Sequence, residues 1–305
     1  MQTTRHILMI RPTRFECNAE TASSNTFQQP GVDPASAQVS ALKEFDAYVE
    51  QLRSAGVDVT VVQDTDEPHT PDSIFPNNWV SFHHDGTAVL YPMEAPNRRL
   101  ERRADILELI AQRFALHRTV NISHFERDNL FLEGTGSMVL DREHRIAYVC
   151  HSSRSHPEVM QRVEAMLGYR AFWFHASDAK GQPIYHTNVM MSVGRTLAVV
   201  CLESIRDEQE RAALVRQLED TGKTILDISF GQTANLAGNV LELHDLEGQP
   251  LLAMSRRAWN ALDPQQQALV QEHAMPVAAA LDTIETLGGG GARCMIAEIH
   301  LPLRQ

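Results

Sequence analysis

Basic residues are in short supply in this chain: 27 lysines and arginines face 39 acidic residues, giving a formal net charge of −12 over 305 positions. Aromatics make up only 6%, and no basic stripe interleaved with them occurs, which argues against a nucleic-acid partner. No apolar run reaches the roughly eighteen residues needed to span a bilayer, so no membrane partner is expected. The opening Met1-Gln2-Thr3-Thr4-Arg5-His6 lacks the apolar core of a signal peptide. Cysteine is scarce too. Cys17, Cys150, Cys201 and Cys294 lie far apart with no Cys-x-x-Cys pair, which speaks against a disulfide framework and against a zinc site. A cytoplasmic location is the expectation, and there a thiol stays available for chemistry. What is present, 43% hydrophobic and 22% charged residues, is ordinary for a soluble globular enzyme.

Four short apolar segments resemble one another: Thr87-Ala88-Val89-Leu90-Tyr91, Ile146-Ala147-Tyr148-Val149-Cys150, Leu197-Ala198-Val199-Val200-Cys201 and Leu251-Leu252-Ala253-Met254. Their alanines are 59, 51 and 55 residues apart. Each is followed by a helical pattern, over 98–114, 157–167, 207–220 and 264–273, and then by another apolar stretch such as 171–174 or 224–227. Pro157 and Pro264 suit helix starts, where the missing N–H costs nothing. A fifth unit fits at the front, with strands at 6–10 and 57–62 around a helix at 35–53. One such unit cannot bury its own apolar face, so self-similarity at this period predicts a repeat architecture. Five strand–strand–helix–strand units predict radial closure into a five-bladed α/β propeller occupying residues 1–305 as a single domain. An α/β fold with two wound sheets is the alternative. Cys150 and Cys201 fall at equivalent strand positions in two repeats and read as core.

Polar residues interrupt this pattern in four places. Gly288-Gly289-Gly290-Gly291 is followed by Ala292-Arg293-Cys294, and Met295-Ile296-Ala297 reads as the start of a strand. Glycines let backbone approach a ligand closely and adopt positive φ. A thiol where such a loop meets a strand is placed to be a nucleophile, although free cysteines are more often small core residues. The other three places are Pro71–Val80, with Asp72 and Asn78; Phe131–Met138, with Glu133 entering a glycine-containing turn; and Tyr185–Met191, where His186 and Asn188 open a Met-rich strand. Each of these alone is a polar loop or a satisfied core residue.

Together the cysteine after a glycine run, the His186-Thr187-Asn188 unit and the Glu133-Gly134 turn resemble the pentein superfamily of guanidino-group-modifying enzymes, which share a five-bladed α/β propeller of pseudo-fivefold ββαβ repeats. That superfamily includes arginine deiminase, dimethylarginine dimethylaminohydrolase and the amidinotransferases. The stretch Met9-Ile10-Arg11-Pro12-Thr13-Arg14-Phe15, with Asn18, Glu20-Thr21-Ala22, Asn25 and Phe27-Gln28, is similar to the citrulline-utilisation hydrolase branch. The resemblance covers essentially the whole chain.

It implies roles residue by residue. Cys294 matches the nucleophile that attacks a guanidinium or ureido carbon. His186 matches the acid/base that protonates departing ammonia and then activates water, and Glu133 the carboxylate that orients it. A thiol is mostly protonated at neutral pH and ammonia leaves poorly unless protonated, so both partners have a chemical reason to be there. Asp72 matches a substrate-binding aspartate. Arg98 and Arg154 are similar to arginines that hold the substrate α-carboxylate, a task suited to a guanidinium fork. The chain departs from arginine-using members at Asn78 and Asn188, where those enzymes often present aspartate. An amide offers both a donor and an acceptor, which suits a neutral ureido group better than a donor-only cation. The expectation is therefore a hydrolase acting on citrulline or a close analogue, giving ornithine, ammonia and carbon dioxide. It needs no cofactor or metal, its partner is a small amino-acid substrate, and a homodimer is its oligomeric expectation, which the sequence itself does not decide. Dimethylarginine or arginine as substrate, an amidinotransferase, and a non-catalytic propeller used as a binding module are the alternatives.

Overall fold

Alternation of short apolar segments with amphipathic ones produces five three-stranded sheets of one design, in a computed structural model that describes residues 1–21, 25, 27, 28 and 34–304. In each sheet the first two strands form an antiparallel pair, and the third lies parallel to the second after a helical crossover. The second sheet comprises Val80–Phe82, Thr87–Leu90 and Arg118–Asn121; the third Met138–Asp141, Ile146–Cys150 and Arg170–Phe174. The fourth comprises Met191–Val193, Leu197–Val200 and Thr224–Asp227, and the fifth Leu241–His244, Pro250–Ser255 and Met275–Ala279. The marker alanines Ala88, Ala147, Ala198 and Ala253 all sit on central strands and are fully buried.

The first sheet departs from the expected front unit. His6–Arg11 and Asp58–Gln63 pair in parallel, but the antiparallel partner of His6–Arg11 is Ala297–Glu298, from the other end of the chain. Ile7 faces Glu298 and Leu8 faces Ala297. The two ends of the sequence are therefore hydrogen-bonded into one sheet.

Several helices begin at a proline or a capping side chain. Pro157–Leu167 and Pro264–His273 begin at their prolines, and Asp263 and Gln266 make a reciprocal capping box on the second. Asp207 caps Glu208–Asp220 through the N–H groups of Gln209 and Glu210. The helix expected over 98–114 is instead two pieces, a 3₁₀ turn at Pro96–Glu101 and an α-helix at Ala104–Arg113. The intervening arginines break it: Arg102 reaches the Tyr91 carbonyl and the Glu126 carboxylate, and Arg103 turns back to Asp105. Both adopt extended backbone to do so.

The apolar side chains collect in clusters that straddle neighbouring sheets rather than in one central mass. One joins the first and second sheets around Trp79, Phe82 and Phe114, another the second and third around Tyr91 and Val149. A third spans the third to fifth sheets and includes Cys150 and Cys201 as small core residues, as expected of them. The fourth joins the fifth and first sheets through Phe45, Leu251 and Met295. Each sheet thus shares apolar packing with a neighbouring sheet.

Candidate active site

Immediately before the first strand of each sheet the chain makes a short turn. These are the 3₁₀ turn Pro76–Asn78, the single-turn helices Gly134–Ser137 and Thr187–Met190, and hydrogen-bonded turns at 236–239 and 292–295. They put Asn78, Gly136, Asn188, Asn239 and Cys294 at corresponding places, two or three residues ahead of the strand. This corrects two expectations. His186 precedes a helical turn and the strand starts only at Met191, because the Thr187 hydroxyl is tied to the Ser137 carbonyl and the Cys150 N–H. Cys294 lies within a turn closed by its own N–H to the Gly291 carbonyl, and the strand begins at Ala297.

The turns converge. Cys294 is buried, and its Sγ accepts hydrogen bonds from Asn239 Nδ2 at 3.2 Å and Asn188 Nδ2 at 3.6 Å. Burial pushes the thiol pKa up, and the two amides oppose that by stabilising thiolate. A Cβ on Gly136 would come within 2.4 Å of Asn78 Nδ2 and 2.9 Å of the His186 ring, so only glycine allows these groups to approach. Gly289 holds φ at +66° and presses against Asn25, the position in the glycine run that needs left-handed backbone.

His186 Nε2 meets Glu133 Oε2 at 2.8 Å, which leaves Nδ1 as the nitrogen available for proton transfer. Desolvation lowers the His186 pKa to about 4, against the pull of Glu133, so the ring is neutral at pH 7. Burial alone would raise the Glu133 pKa, but Arg154 at 3.2 Å and the His186 contact hold the carboxylate ionised well below its usual range. Glu133 Oε1 also accepts from the Glu94 N–H at 3.0 Å.

Behind these groups lies a charge network. Arg98 is buried. It forms a fork with Glu101 at 2.8 and 3.0 Å, donates to Asn78 Oδ1 at 2.7 Å and to the Phe75 carbonyl at 3.3 Å, and lies 3.7 Å from Asp72. Desolvation lifts the Glu101 pKa to about 7 in spite of Arg98. Arg154 donates to Glu94 at 3.0 Å as well as to Glu133, and its guanidinium sits 4.9 Å above the Tyr185 ring. Both arginines line the cavity, but internal carboxylates engage them. Their geometry favours fixing those carboxylates over gripping a substrate carboxylate.

The eight singled-out side chains therefore lie in one neighbourhood. A cavity of about 20 Å³ is walled by Asp72, Asn78, Arg98, Arg154, His186 and Cys294, among others. Glu133 and Asn188 sit just behind its wall through their bonds to His186 and Cys294. Asp72 Oδ2 takes Asn18 Nδ2 at 2.7 Å, while Oδ1 is buried without a partner. Asn18 and Glu20 brace this loop, the latter through the Asn97 N–H, whereas Asn25 lines the cavity and bonds the Gly288 carbonyl. Ala22 of the same segment lies outside the described residues. Among the described residues no cluster of three His, Cys, Asp or Glu could hold a metal ion, and no helix is long and apolar enough to cross a membrane.

Sequence reasoning missed Asn239, Tyr185, Glu94 and Glu101. For Asn239 the signal was there: it stands 51 residues after Asn188 and 55 before Cys294, the period of the repeat itself. Tyr185 and the two glutamates carry no such mark, because distant partners define them.

Residues 11–301 match the family described as N,N dimethylarginine dimethylhydrolase, eukaryotic. The chain belongs to that family. It is a pentein, and its family acts hydrolytically on guanidino C–N bonds. Among solved structures, the N-terminal domain of ArgZ, an arginine dihydrolase from the ornithine–ammonia cycle in cyanobacteria, bound to substrate as a cysteine-to-serine mutant, aligns with TM-score 0.76 and 15% identity over 97% of this chain and 98% of that one. AgrE in ternary complex with ornithine and NAD+ aligns with TM-score 0.76 and 17% identity, over 98% of this chain and 40% of that one. A dimethylarginine dimethylaminohydrolase, a histidine-to-glycine variant in an adduct with S-methyl-L-thiocitrulline, aligns with TM-score 0.66 and 16% identity over 97% of this chain and all of that one, 100%. At such identities the likeness speaks for the fold. No curated protein matches the chain in sequence.

Proposed function

We propose that this chain hydrolyses the ureido group of citrulline or a close analogue, with Cys294 as nucleophile, His186 as acid/base and Glu133 as the carboxylate that orients the imidazole. Neutral His186 takes the Cys294 proton as sulfur attacks the ureido carbon, and returns it to the departing nitrogen, so that ammonia leaves and a thiocarbamate joins sulfur to the substrate. Water, deprotonated by the same imidazole, displaces the sulfur. The resulting N-carboxy amine loses carbon dioxide and leaves ornithine. Asn188 and Asn239 stabilise the thiolate on which both halves depend.

One observation supports the choice of a neutral substrate: of the carboxylates around the sulfur, three are already engaged by internal arginines and Asp72 alone keeps a buried oxygen without a partner. Glu101 is forked to Arg98, and Glu133 and Glu94 to Arg154. Asn78 has its oxygen held by Arg98 and one N–H given to Asn77 Oδ1 at 3.2 Å, so its second N–H is what it can offer a ligand, and a ureido carbonyl accepts such a donor. A guanidinium placed here would have to rely on Asp72, since Arg98 and Arg154 already engage the other carboxylates, and a buried cation left short of its partner costs about 3–5 kcal/mol, roughly 10²–10³ in preference. The unpartnered Oδ1 of Asp72 favours a second reading, in which it receives the guanidinium N–H of arginine or dimethylarginine. Entry of citrulline, arginine or dimethylarginine alike requires this cavity to widen. The test is a side-by-side assay of citrulline, arginine and dimethylarginine, reading ammonia, ornithine and methylamines. Citrulline turnover that vanishes in Cys294→Ser supports the proposal, and arginine preferred by a large factor defeats it.

The same reading takes the five sheets as a closed propeller and residues 1–305 as one domain, supported by the pairing of Ala297–Glu298 with His6–Arg11 and by clusters shared between neighbouring sheets. Deleting residues 296–305 should then abolish the single cooperative unfolding transition of the full chain.

A further inference from the structure

A second cavity, about 270 Å³, lies on the other side of Tyr185 from the reaction site. Its inner walls are apolar, formed by Ile184, Val189, Phe230 and Leu236 with Tyr185 shared between the two cavities, while the part-exposed Asp178 and exposed Lys180 also line it. Among these lining groups one carboxylate is fully buried. Glu285 is 1% exposed, and neither of its oxygens has a hydrogen-bond partner. The nearest cation, Arg257 Nη1, is 3.7 Å away, and that guanidinium, partly exposed, also lines the cavity. Burial lifts the Glu285 pKa to about 7, and Asp282 and Glu44 add to this, while Ser255 and Arg257 oppose it.

A buried carboxylate with two empty acceptor oxygens is a costly arrangement that a ligand cation would relieve. Nothing in the proposed reaction uses Glu285. It sits on the short helix Asp282–Gly288, three residues before the glycine run, facing away from the sulfur cavity.

We propose that this cavity is a binding site for an apolar α-amino acid, whose ammonium is received by Glu285, whose carboxylate is received by Arg257 and whose side chain fills the space between Val189, Phe230 and Leu236. An acid and a base side by side at the end of an apolar chamber are the counterpart of a head group that carries ammonium and carboxylate on one carbon. The volume suits a side chain of the size of leucine and falls just below the range usual for small-molecule pockets.

Calorimetric titration of the full chain tests this with three probes: L-leucine, 3-methylbutylamine, which lacks the carboxylate, and 4-methylpentanoate, which lacks the amine. Leucine should bind saturably at one site and more tightly than either fragment. Glu285→Gln and Arg257→Met should each weaken leucine by about tenfold or more. Ala234→Trp, which fills the cavity mouth from an exposed position, should abolish binding with circular dichroism and melting unchanged. If Glu285→Gln does not fold, the other two variants carry the test. Absence of saturable leucine binding, equal binding of the amine alone, or undiminished affinity in Ala234→Trp overturns the proposal. Leucine lodged in the sulfur cavity would show the last of these.

Discussion

At the scale of single residues, the sulfur of Cys294 is the most delicately set group. Burial disfavours its ionised form, and two amide donors partly offset that. A hydrogen bond to a charged group contributes about 1.5–3 kcal/mol. Asn239→Ala should therefore raise the thiol pKa and lower kcat/KM at pH 7 by about 10–100-fold, with the pH–rate profile displaced to higher pH. Asn239→Asp, which puts an anion beside the sulfur, should be worse. A pH profile identical to the parent's would show that Asn239 only supports the turn.

The arginines are legible at the same scale. Arg98 and Arg154 stand out in the sequence as cations near loops, but their partners Glu101, Glu94 and Glu133 decide what they do. Arg154→Met strips Glu133 of its main counter-charge. The expected result is a large fall in kcat, through a His186 no longer held by an ionised partner, with a smaller change in KM. Loss confined to KM would instead point to the substrate-carboxylate grip expected from the resemblance.

At the scale of elements, the five turns before the first strands matter more than the strands. They are what the repeat varies while the sheets stay alike, and they bring Asn78, Gly136, Asn188, Asn239 and Cys294 to one centre. Gly136→Ala tests the convergence. Its Cβ would overlap Asn78 Nδ2 and the His186 ring, so those side chains must give way. Overpacking of this kind costs about 1–3 kcal/mol in stability, whereas displacing a catalytic ring by as little as an ångström costs about 10² in rate. The variant should melt a few degrees lower and lose at least two orders of magnitude in activity. A fully active Gly136→Ala would mean that the turns do not meet as described.

For the whole molecule, acid is the sensitive direction. His83, His186 and His300 are buried and have pKa values lowered by desolvation, to about 4 for the last two. Above the unfolded value near 6.5 neither state binds the protons, so stability is level there. Between pH 6.5 and 4 the unfolded chain takes up protons that the native chain refuses, and stability falls. Glu133 and Glu298, with lowered pKa values, add their loss only below about 4.5. Glu101 and Glu285, lifted to about 7, work the other way, because between pH 7 and 4.5 the native chain holds protons that the unfolded chain has released. Three rings against two carboxyls leave a net loss, so urea midpoints should drop between pH 7 and 5, by on the order of 1–3 kcal/mol in free energy. His300→Gln, which keeps a donor toward Glu298, should flatten that slope. A midpoint constant over this range would contradict the burial of these rings.

The sequence by itself determined the period of the fold, because a unit with one apolar face writes its need for neighbours into its hydrophobic pattern. Helices at 157–167, 207–220 and 264–273 and the central strands around Ala88, Ala147, Ala198 and Ala253 follow from spacing, caps and prolines that act locally. Cys294, His186 and Glu133 also stood out, since each breaks an apolar pattern at a strand end. Only the tertiary structure decided the rest. The pairing of Ala297–Glu298 with His6–Arg11, the split at Arg102–Arg103 and the engagement of Arg98 by Glu101 and Asn78 all depend on distant or competing partners. So does the vacancy of Glu285, a residue with no distinguishing mark in the sequence. A local pattern records which faces must be buried, whereas the partner of a charge is settled only when the chain has closed around it.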